Sequence, residues 1–286
     1  MNQRHRLLQA EAHAENLVTQ LGIVSLPINP IEIAEQYAIQ CQRGEIQGFS
    51  GCLVKQGDVF GILYSSKFNN DGFIRFTVAH ELGHYFLPGH PELLFPEGDG
   101  IHHSHNGFTD SVIHELEADH FAAALLMPRH LFGVALGQET IPGFYAIEAL
   151  SEKCKTSITA TAIRYATFAD YPVALIVSSN NRVEYSFMSD TMKTKIQGAS
   201  WLRKGEGIPP QSQTSAFNED QNNILSGAKE ESSSYLDAWF PGAQSEEVNE
   251  DVIGLGGYGK TLTVLFSEES LTDDNDLNFF DYGYHE

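Results

Sequence analysis

The feature that most constrains this chain is a His-Glu-x-x-His motif on a segment with a helical pattern. His80 and His84 are four residues apart, so on a helix they lie one turn apart on one face and can direct imidazole nitrogens to a single ion. Glu81 is offset by one residue, where a carboxylate can accept a proton from a water on the metal. The motif predicts a metal hydrolase in which His80 and His84 bind the metal and Glu81 is the catalytic base.

A second helical pattern supplies the rest of the predicted site. Apolar residues around the motif predict a core helix from about Arg75 to Phe86. A catalytic zinc needs a third protein ligand besides a position open to water, and that ligand commonly comes from a neighbouring helix. The segment from about Thr109 to Met127 carries Glu115 and Asp119 on one face. We expect Glu115 to be the third ligand and Asp119 to orient a ligating histidine through its second ring nitrogen.

Several side chains compete for these roles. Glu117 lies about 200° round the helix from Glu115, so the two cannot face the same ion, and the same-face pairing with Asp119 favours Glu115. His114 and His120 are further ligand candidates. The donor that would stabilise an oxyanion is left open among four residues of the motif helix and the following His-rich loop: Tyr85, His102, His103 and His105. Two histidines and a carboxylate suit Zn²⁺, the default, but also accept Mn²⁺ or Fe²⁺.

The remaining patterns predict an α+β protein with a mixed or β-rich carboxy-terminal part. An irregular loop is expected from Leu87 to Phe108. The other predicted elements are helices at 5–21, from Pro30, at 143–153 and at 157–168, hairpins at 51–55 with 59–64 and at 173–178 with 183–188, and a strand at 261–266.

Charge and composition suggest a boundary near residue 205. Residues 206–286 hold 17 acids against two lysines, after a stretch at 205–215 rich in Gly, Pro, Gln and Ser. We therefore expect a zinc metallopeptidase-like domain at 1–205, which includes the helical pair and hairpin of 143–188, and an acidic region of unknown role at 206–286. The last twenty residues read as a solvated tail or as an acidic interaction segment.

Composition also limits the function classes. The formal net charge of −21 excludes a basic nucleic-acid-binding surface over the whole molecule, and we expect no direct contact with nucleic acid. No run approaches the roughly 18 apolar residues that a membrane span needs. Three cysteines without CxxC spacing and an amino terminus unlike a signal peptide favour a reducing cytoplasm.

The two helices together resemble the ImmA/IrrE family of zinc metallopeptidase-like proteins. The likeness rests on the run Arg-Phe-Thr-Val-Ala-His-Glu-Leu-Gly-His at 75–84 and on Glu115-x-x-Ala-Asp-x-Phe-Ala-Ala-x-Leu-Leu-Met-Pro at 115–128, and it extends weakly over about 20–200. It implies a thermolysin-like minimal metallopeptidase with ligands His80, His84 and Glu115 and base Glu81.

The resemblance also implies a partner and a mechanism. Family members cleave a helix-turn-helix repressor and so regulate genes of mobile elements or stress responses. Little chain precedes Pro27, so we expect a separate repressor to be the substrate, bound extended along an edge of the hairpin at 51–64. Two alternatives stay open: a non-proteolytic metal-binding regulator or sensor that acts through protein–protein interaction, and an acidic interaction protein with an accidental motif.

Overall fold

The computed structural model describes residues 2–46, 48–67, 70–104 and 112–267. The chain divides into two compact units. Unit 1 comprises Met1–Ile141 and Tyr145–Tyr165, and unit 2 comprises Pro142–Phe144 and Ala166–Glu286. Within the described ranges, every helix is too short or too polar to cross a membrane. Helices and sheets occur together, which confirms the prediction of an α+β protein.

Unit 1 combines a helical layer with a small sheet. Its last two helices each include one or a few residues that are assigned to unit 2. Its elements are α1 (Gln3–Gln20), α2 (Pro30–Gln36), β1 (Gln40–Gly44), β2 (Gly51–Gln56), β3 (Val59–Ser65), α3 (Asp71–Phe86), α4 (His90–Leu94), β4 (Gly100–Ser104), α5 (Ile113–Leu126), α6 (Arg129–Leu136), α7 (Phe144–Cys154) and α8 (Ile158–Phe168).

The sheet of unit 1 has the strand order β1-β3-β2-β4. β1 runs parallel to β3, while β2 is antiparallel to both β3 and β4. The predicted hairpin at 51–64 is therefore present, but both of its strands are internal. The expectation that a substrate pairs with an edge of this hairpin is wrong, because β1 and β4 occupy the edges among the described strands. The predicted irregular loop at 87–108 is also wrong in part, since it contains α4 and β4.

The helix α3 is well delimited by its sequence. Asn70 caps its start, where the side-chain oxygen accepts a hydrogen bond from the Phe73 N–H at 3.1 Å. Leu87 is extended at its end, as expected for a residue that precedes a proline. A Cβ built on Gly83 would lie 3.1 Å from the Cα of Ala118, so the glycine lets α3 approach the backbone of α5. This close crossing brings the motif histidines to the acidic face of α5.

Helix α1 packs on α5 through small and aliphatic residues and through ion pairs. Ala10, Ala14, Leu17 and Val18 are buried. Arg164 of α8 is only 4% exposed and donates to the carbonyl of Met127. Its guanidinium also contacts Glu11 at 3.0 Å and Glu15 at 3.3 Å. These contacts tie the first helix of the chain to two later ones.

Unit 2 contains a five-stranded antiparallel sheet. Its elements are β5 (Val173–Ser179), β6 (Arg182–Met188), α9 (Asp190–Lys195), α10 (Gln213–Phe217), α11 (Gln221–Ser226), β7 (Lys229–Tyr235), α12 (Leu236–Trp239), β8 (Glu247–Gly254) and β9 (Thr261–Phe266). The strand order is β6-β5-β9-β8-β7. A core on one face includes Ile176, Trp239, Phe240 and Leu265.

A buried carboxylate joins the start of α7 to this sheet within unit 2. Asp251 of β8 accepts a hydrogen bond from the Phe144 N–H at 2.9 Å. Gly143 has a φ of +74°, and a Cβ there would lie 2.4 Å from Asp251 Oδ2, so a side chain could not be accommodated without a shift. Burial, together with the like charge of the cross-strand neighbour Glu231, raises the pKa of Asp251 to about 6.

The compact units divide the chain elsewhere than near residue 205. That position lies inside unit 2, because β5 and β6, which composition grouped with the helices of the predicted metal site, share a sheet with the late strand β9, which pairs with β5. The acidic residues of 206–267 belong in part to β7 and β8 rather than to a separate acidic region. The acidic tail beyond Ser267 lies outside the described residues.

Candidate metal centre

Helices α3 and α5 bring His80, His84 and Glu115 together. One ligand atom from each lies within 4.8 Å of the others, and all three residues are buried. The Nε2 atoms of the histidines are 3.1 Å apart. The Glu115 oxygens lie 3.3 Å from Nε2 of His80 and 3.4 Å from Nε2 of His84. Since zinc binds such donors at about 2.0–2.2 Å, the three atoms are close enough to share one cation.

The second ring nitrogen of His80 fixes the direction in which this imidazole points. Nδ1 of His80 lies 2.8 Å from the carboxylate of Asp119. A carboxylate accepts only, so Nδ1 carries the proton, and in the neutral ring Nε2 offers its lone pair to the cluster. Asp119 therefore occupies the position predicted for it. When the Nε2 atoms of His80 and His84 and the Glu115 oxygens are all deprotonated, three acceptors face one another, and their meeting point is then suited to a divalent cation.

The protonation equilibria of the two histidines differ. Burial lowers the pKa of His84 to about 3. Burial acts in the same direction on His80, but the hydrogen bonds of Asp119 and Glu115 outweigh it and raise the pKa of His80 to about 10. His80 is thus the proton-binding position of the cluster, and a cation at this site would displace that proton.

The predicted base Glu81 lies beside the cluster, and a glycine of the neighbouring strand β2 faces its carboxyl group. Glu81 is fully buried. A Cβ on Gly51 of β2 would lie 3.0 Å from Glu81 Oε1, so this glycine leaves room for the carboxylate. Burial raises the pKa of Glu81 to about 7, against the opposing effects of His80 and the Ser104 hydroxyl. A carboxyl group with a pKa near neutrality suits general base catalysis.

Two further imidazoles lie close to the carboxylate of Glu115. His102 Nε2 lies 3.0 Å and His114 Nε2 lies 3.3 Å from Glu115 Oε1. Burial favours the neutral acid, but hydrogen bonds from His102, His80 and His84 outweigh it and hold the pKa of Glu115 well below its usual range. The carboxyl group is therefore an anion, as a metal ligand must be.

Of the predicted oxyanion donors that the structure describes, His102 reaches the cluster. His103, the next residue of β4, faces the opposite side of the strand and contacts the Phe49 ring at a centroid distance of 4.1 Å. Tyr85 packs against Phe60 at 5.0 Å. His105 lies outside the described residues.

Two of the rival ligand candidates of α5 have other partners, whereas His114 lies beside Glu115. Glu117 binds Arg6 and His90 instead of joining the three-residue group. His120 pairs with Glu11 at 2.8 Å. His90 and Arg6 were not among the sequence candidates, because no local motif connects them to the site. Arg6 is 111 positions from Glu117 in the sequence.

Comparison with known proteins agrees with this architecture. Residues 61–164 match the family model of the IrrE N-terminal-like domain, Peptidase_M78. The resemblance to the ImmA/IrrE family is confirmed for this metallopeptidase-like stretch, which contains His80, Glu81, His84 and Glu115.

Among solved structures, a Mycobacterium tuberculosis transcriptional regulator has a similar fold. The TM-score is 0.58 at 13% sequence identity, and the match covers 91% of this chain and 76% of that chain. At this identity the likeness concerns the fold alone. A comparison with curated proteins gave no match.

Proposed function

We propose that the protein is a metal-dependent endopeptidase, with Zn²⁺ as the default metal and a thermolysin-like arrangement of α3 and α5. The observation that carries this proposal is the convergence of His80, His84 and Glu115 beside the buried carboxyl group of Glu81. Two histidines and one carboxylate leave a coordination position for water, which distinguishes a catalytic zinc site from a closed structural one.

The roles of the residues follow from their positions. His80, His84 and Glu115 would hold the cation, which would supply Lewis acidity at the scissile carbonyl and lower the pKa of a water molecule. Glu81 takes the proton of that water as it attacks, and then gives it to the leaving amine. His102 is the best placed of the described candidates to donate a hydrogen bond to the developing oxyanion, although its present partner is Glu115.

The edge strand β4 offers a way to bind the substrate. It ends the order β1-β3-β2-β4 and carries His102 beside Glu115. An extended peptide that pairs with the edge of β4 on which no described strand lies would run beside the cluster. We therefore propose that the substrate peptide pairs with β4 and not with the hairpin at 51–64.

The proposed partner is a helix-turn-helix repressor in the cytoplasm. This choice is supported by the family resemblance of residues 61–164. Cleavage of such a repressor would release the genes that it controls.

The proposal is tested with Glu81→Gln and His80→Ala proteins. Purified variants are analysed for metal by inductively coupled plasma mass spectrometry and incubated with a candidate repressor. Glu81→Gln should retain zinc at wild-type stoichiometry and lose cleavage, whereas His80→Ala should lose both. Wild-type cleavage by Glu81→Gln would refute the assigned base. Wild-type protein that holds metal but cleaves no repressor would favour the alternative of a non-proteolytic metal-binding regulator.

A further inference from the structure

The second ring nitrogen of His84 faces another histidine. Nδ1 of His84 lies 3.1 Å from Nδ1 of His90, and both rings are buried. His80, in contrast, has a direct carboxylate partner in Asp119. The two predicted histidine ligands are therefore supported in different ways.

His90 reaches His84 because the chain reverses directly after α3. Gly89 has a φ of +85°, a conformation that favours glycine, and the His90 N–H donates to the carbonyl of Leu87 at 3.2 Å. This turn places the first residue of α4 under the last turn of α3.

From His90 the contacts continue to the first helix of the chain. Nε2 of His90 lies 3.2 Å from Oε2 of Glu117. Arg6 of α1 grips the same carboxylate with two nitrogens, Nε at 2.6 Å from Oε1 and Nη2 at 2.7 Å from Oε2. Such a bidentate pair fixes the orientation of the carboxylate as well as its charge.

The donors and acceptors along this chain have one consistent direction. If His84 offers Nε2 to a metal, its Nδ1 carries the proton and donates to Nδ1 of His90. Neutral His90 then has its proton on Nε2, which donates to Glu117. The Glu117 carboxylate can only accept and the Arg6 guanidinium can only donate, so each contact in the chain joins one donor to one acceptor.

We propose that His90, Glu117 and Arg6 form a positioning chain that holds His84 in its metal-binding orientation and makes metal affinity depend on α1. The proposal rests on the proposed metal site but not on peptidase activity. Glu117 is thus a positioning residue instead of a third ligand, and Arg6 acts on the site from a distance. Outer-shell partners of this kind typically contribute about 10- to 100-fold to metal affinity.

The test measures affinity for Zn²⁺ by competition with a chromophoric chelator, on the full chain. Glu117→Gln and Arg6→Met should weaken binding by about 10-fold or more. His90→Leu should weaken it further. His90→Gln should recover part of that loss, because the amide can accept from His84 and donate to Glu117. The visible spectrum of the Co²⁺-loaded proteins should change in His90→Leu and return towards the wild-type spectrum in His90→Gln.

Glu11→Gln is the matched control. Glu11 lies on the same helix as Arg6 and pairs with Arg164 and His120, but it has no contact with the chain to His84. It should lower the melting temperature of the metal-free protein and leave Zn²⁺ affinity unchanged. If Glu11→Gln weakens Zn²⁺ binding as much as Glu117→Gln does, the effect is a general one of α1 and the proposal fails.

Other outcomes separate this proposal from the proposed function. Wild-type Zn²⁺ affinity in Glu117→Gln and His90→Leu, with an unchanged Co²⁺ spectrum, would overturn the positioning chain and leave the peptidase intact. A wild-type protein that binds Zn²⁺ without cleaving a repressor would refute the proposed peptidase function. The comparison of Zn²⁺ affinities would still test the positioning chain in that case. A wild-type protein that binds neither metal refutes both.

Discussion

Replacing Asp251 with Asn should stabilise unit 2 at neutral pH. Asp251 is only 5% exposed, and its pKa rises from the ordinary value of 3.8 to about 6. Because one pKa unit corresponds to about 1.4 kcal/mol, ionised Asp251 costs the folded state up to about 3 kcal/mol at pH 7. Asparagine removes the charge and keeps an oxygen that can accept from the Phe144 N–H.

The pH dependence gives the sign of this effect. Well below the ordinary pKa of 3.8 the carboxyl group is protonated in both the folded and the unfolded chain, so its charge causes no stability difference between wild type and variant there. Between about pH 4 and 6 the unfolded chain ionises first, and the free energy of unfolding of the wild type falls as pH rises. The advantage of Asp251→Asn should therefore grow through this window and stay constant above it.

Urea denaturation followed by tryptophan fluorescence measures this difference. The chain has two tryptophans, Trp201 and Trp239, and both belong to unit 2. The exposed Asp170 of the same unit provides a control, and Asp170→Asn should shift the midpoint little at any pH. A stability difference for Asp251→Asn that is zero at pH 7, or equal at pH 4 and pH 7, would refute the reasoning.

Two further predictions concern unit 1. Gly83→Ala should weaken Zn²⁺ binding, because the added methyl group would lie 3.1 Å from the Cα of Ala118 and push α3 from α5. Calorimetric titration measures the affinity. An unchanged affinity would contradict the prediction and show that the two helices can separate slightly without a loss of binding. Arg164→Met should lower the free energy of unfolding by about 3 kcal/mol, since Glu11, Glu15 and the Met127 carbonyl lose a buried cation. Circular dichroism during urea unfolding checks this value, and a loss below 1 kcal/mol would contradict it.

The sequence predicts the helices of the site because their signals are local. The His-Glu-x-x-His spacing and the same-face pair of Glu115 and Asp119 follow from helix geometry alone, and the structure brings these residues together. The angular argument against Glu117 agrees with the structure for the same reason, as this residue faces Arg6 and His90.

Elements with weak or long-range signals escape this kind of prediction. β4 reads Gly-Ile-His-His-Ser, and its single aliphatic side chain, Ile101, is 57% exposed, so no alternation marks it as a strand. β1 is almost wholly polar. The unit boundary depends on the pairing of β5 with β9, which joins residues far apart in the chain and leaves no mark in local composition.

The wide spacing of the cluster has a consequence for protein synthesis. The two imidazoles of α3 leave the ribosome well before Glu115 and Asp119, so the emerging fragment holds only two of the three proposed ligands. Because two ligands hold a divalent ion weakly, firm loading of the proposed site would wait until α5 has folded against α3 and α1. A chain cut short before residue 115 would thus carry the whole His-Glu-x-x-His motif and still lack the third ligand of the proposed site.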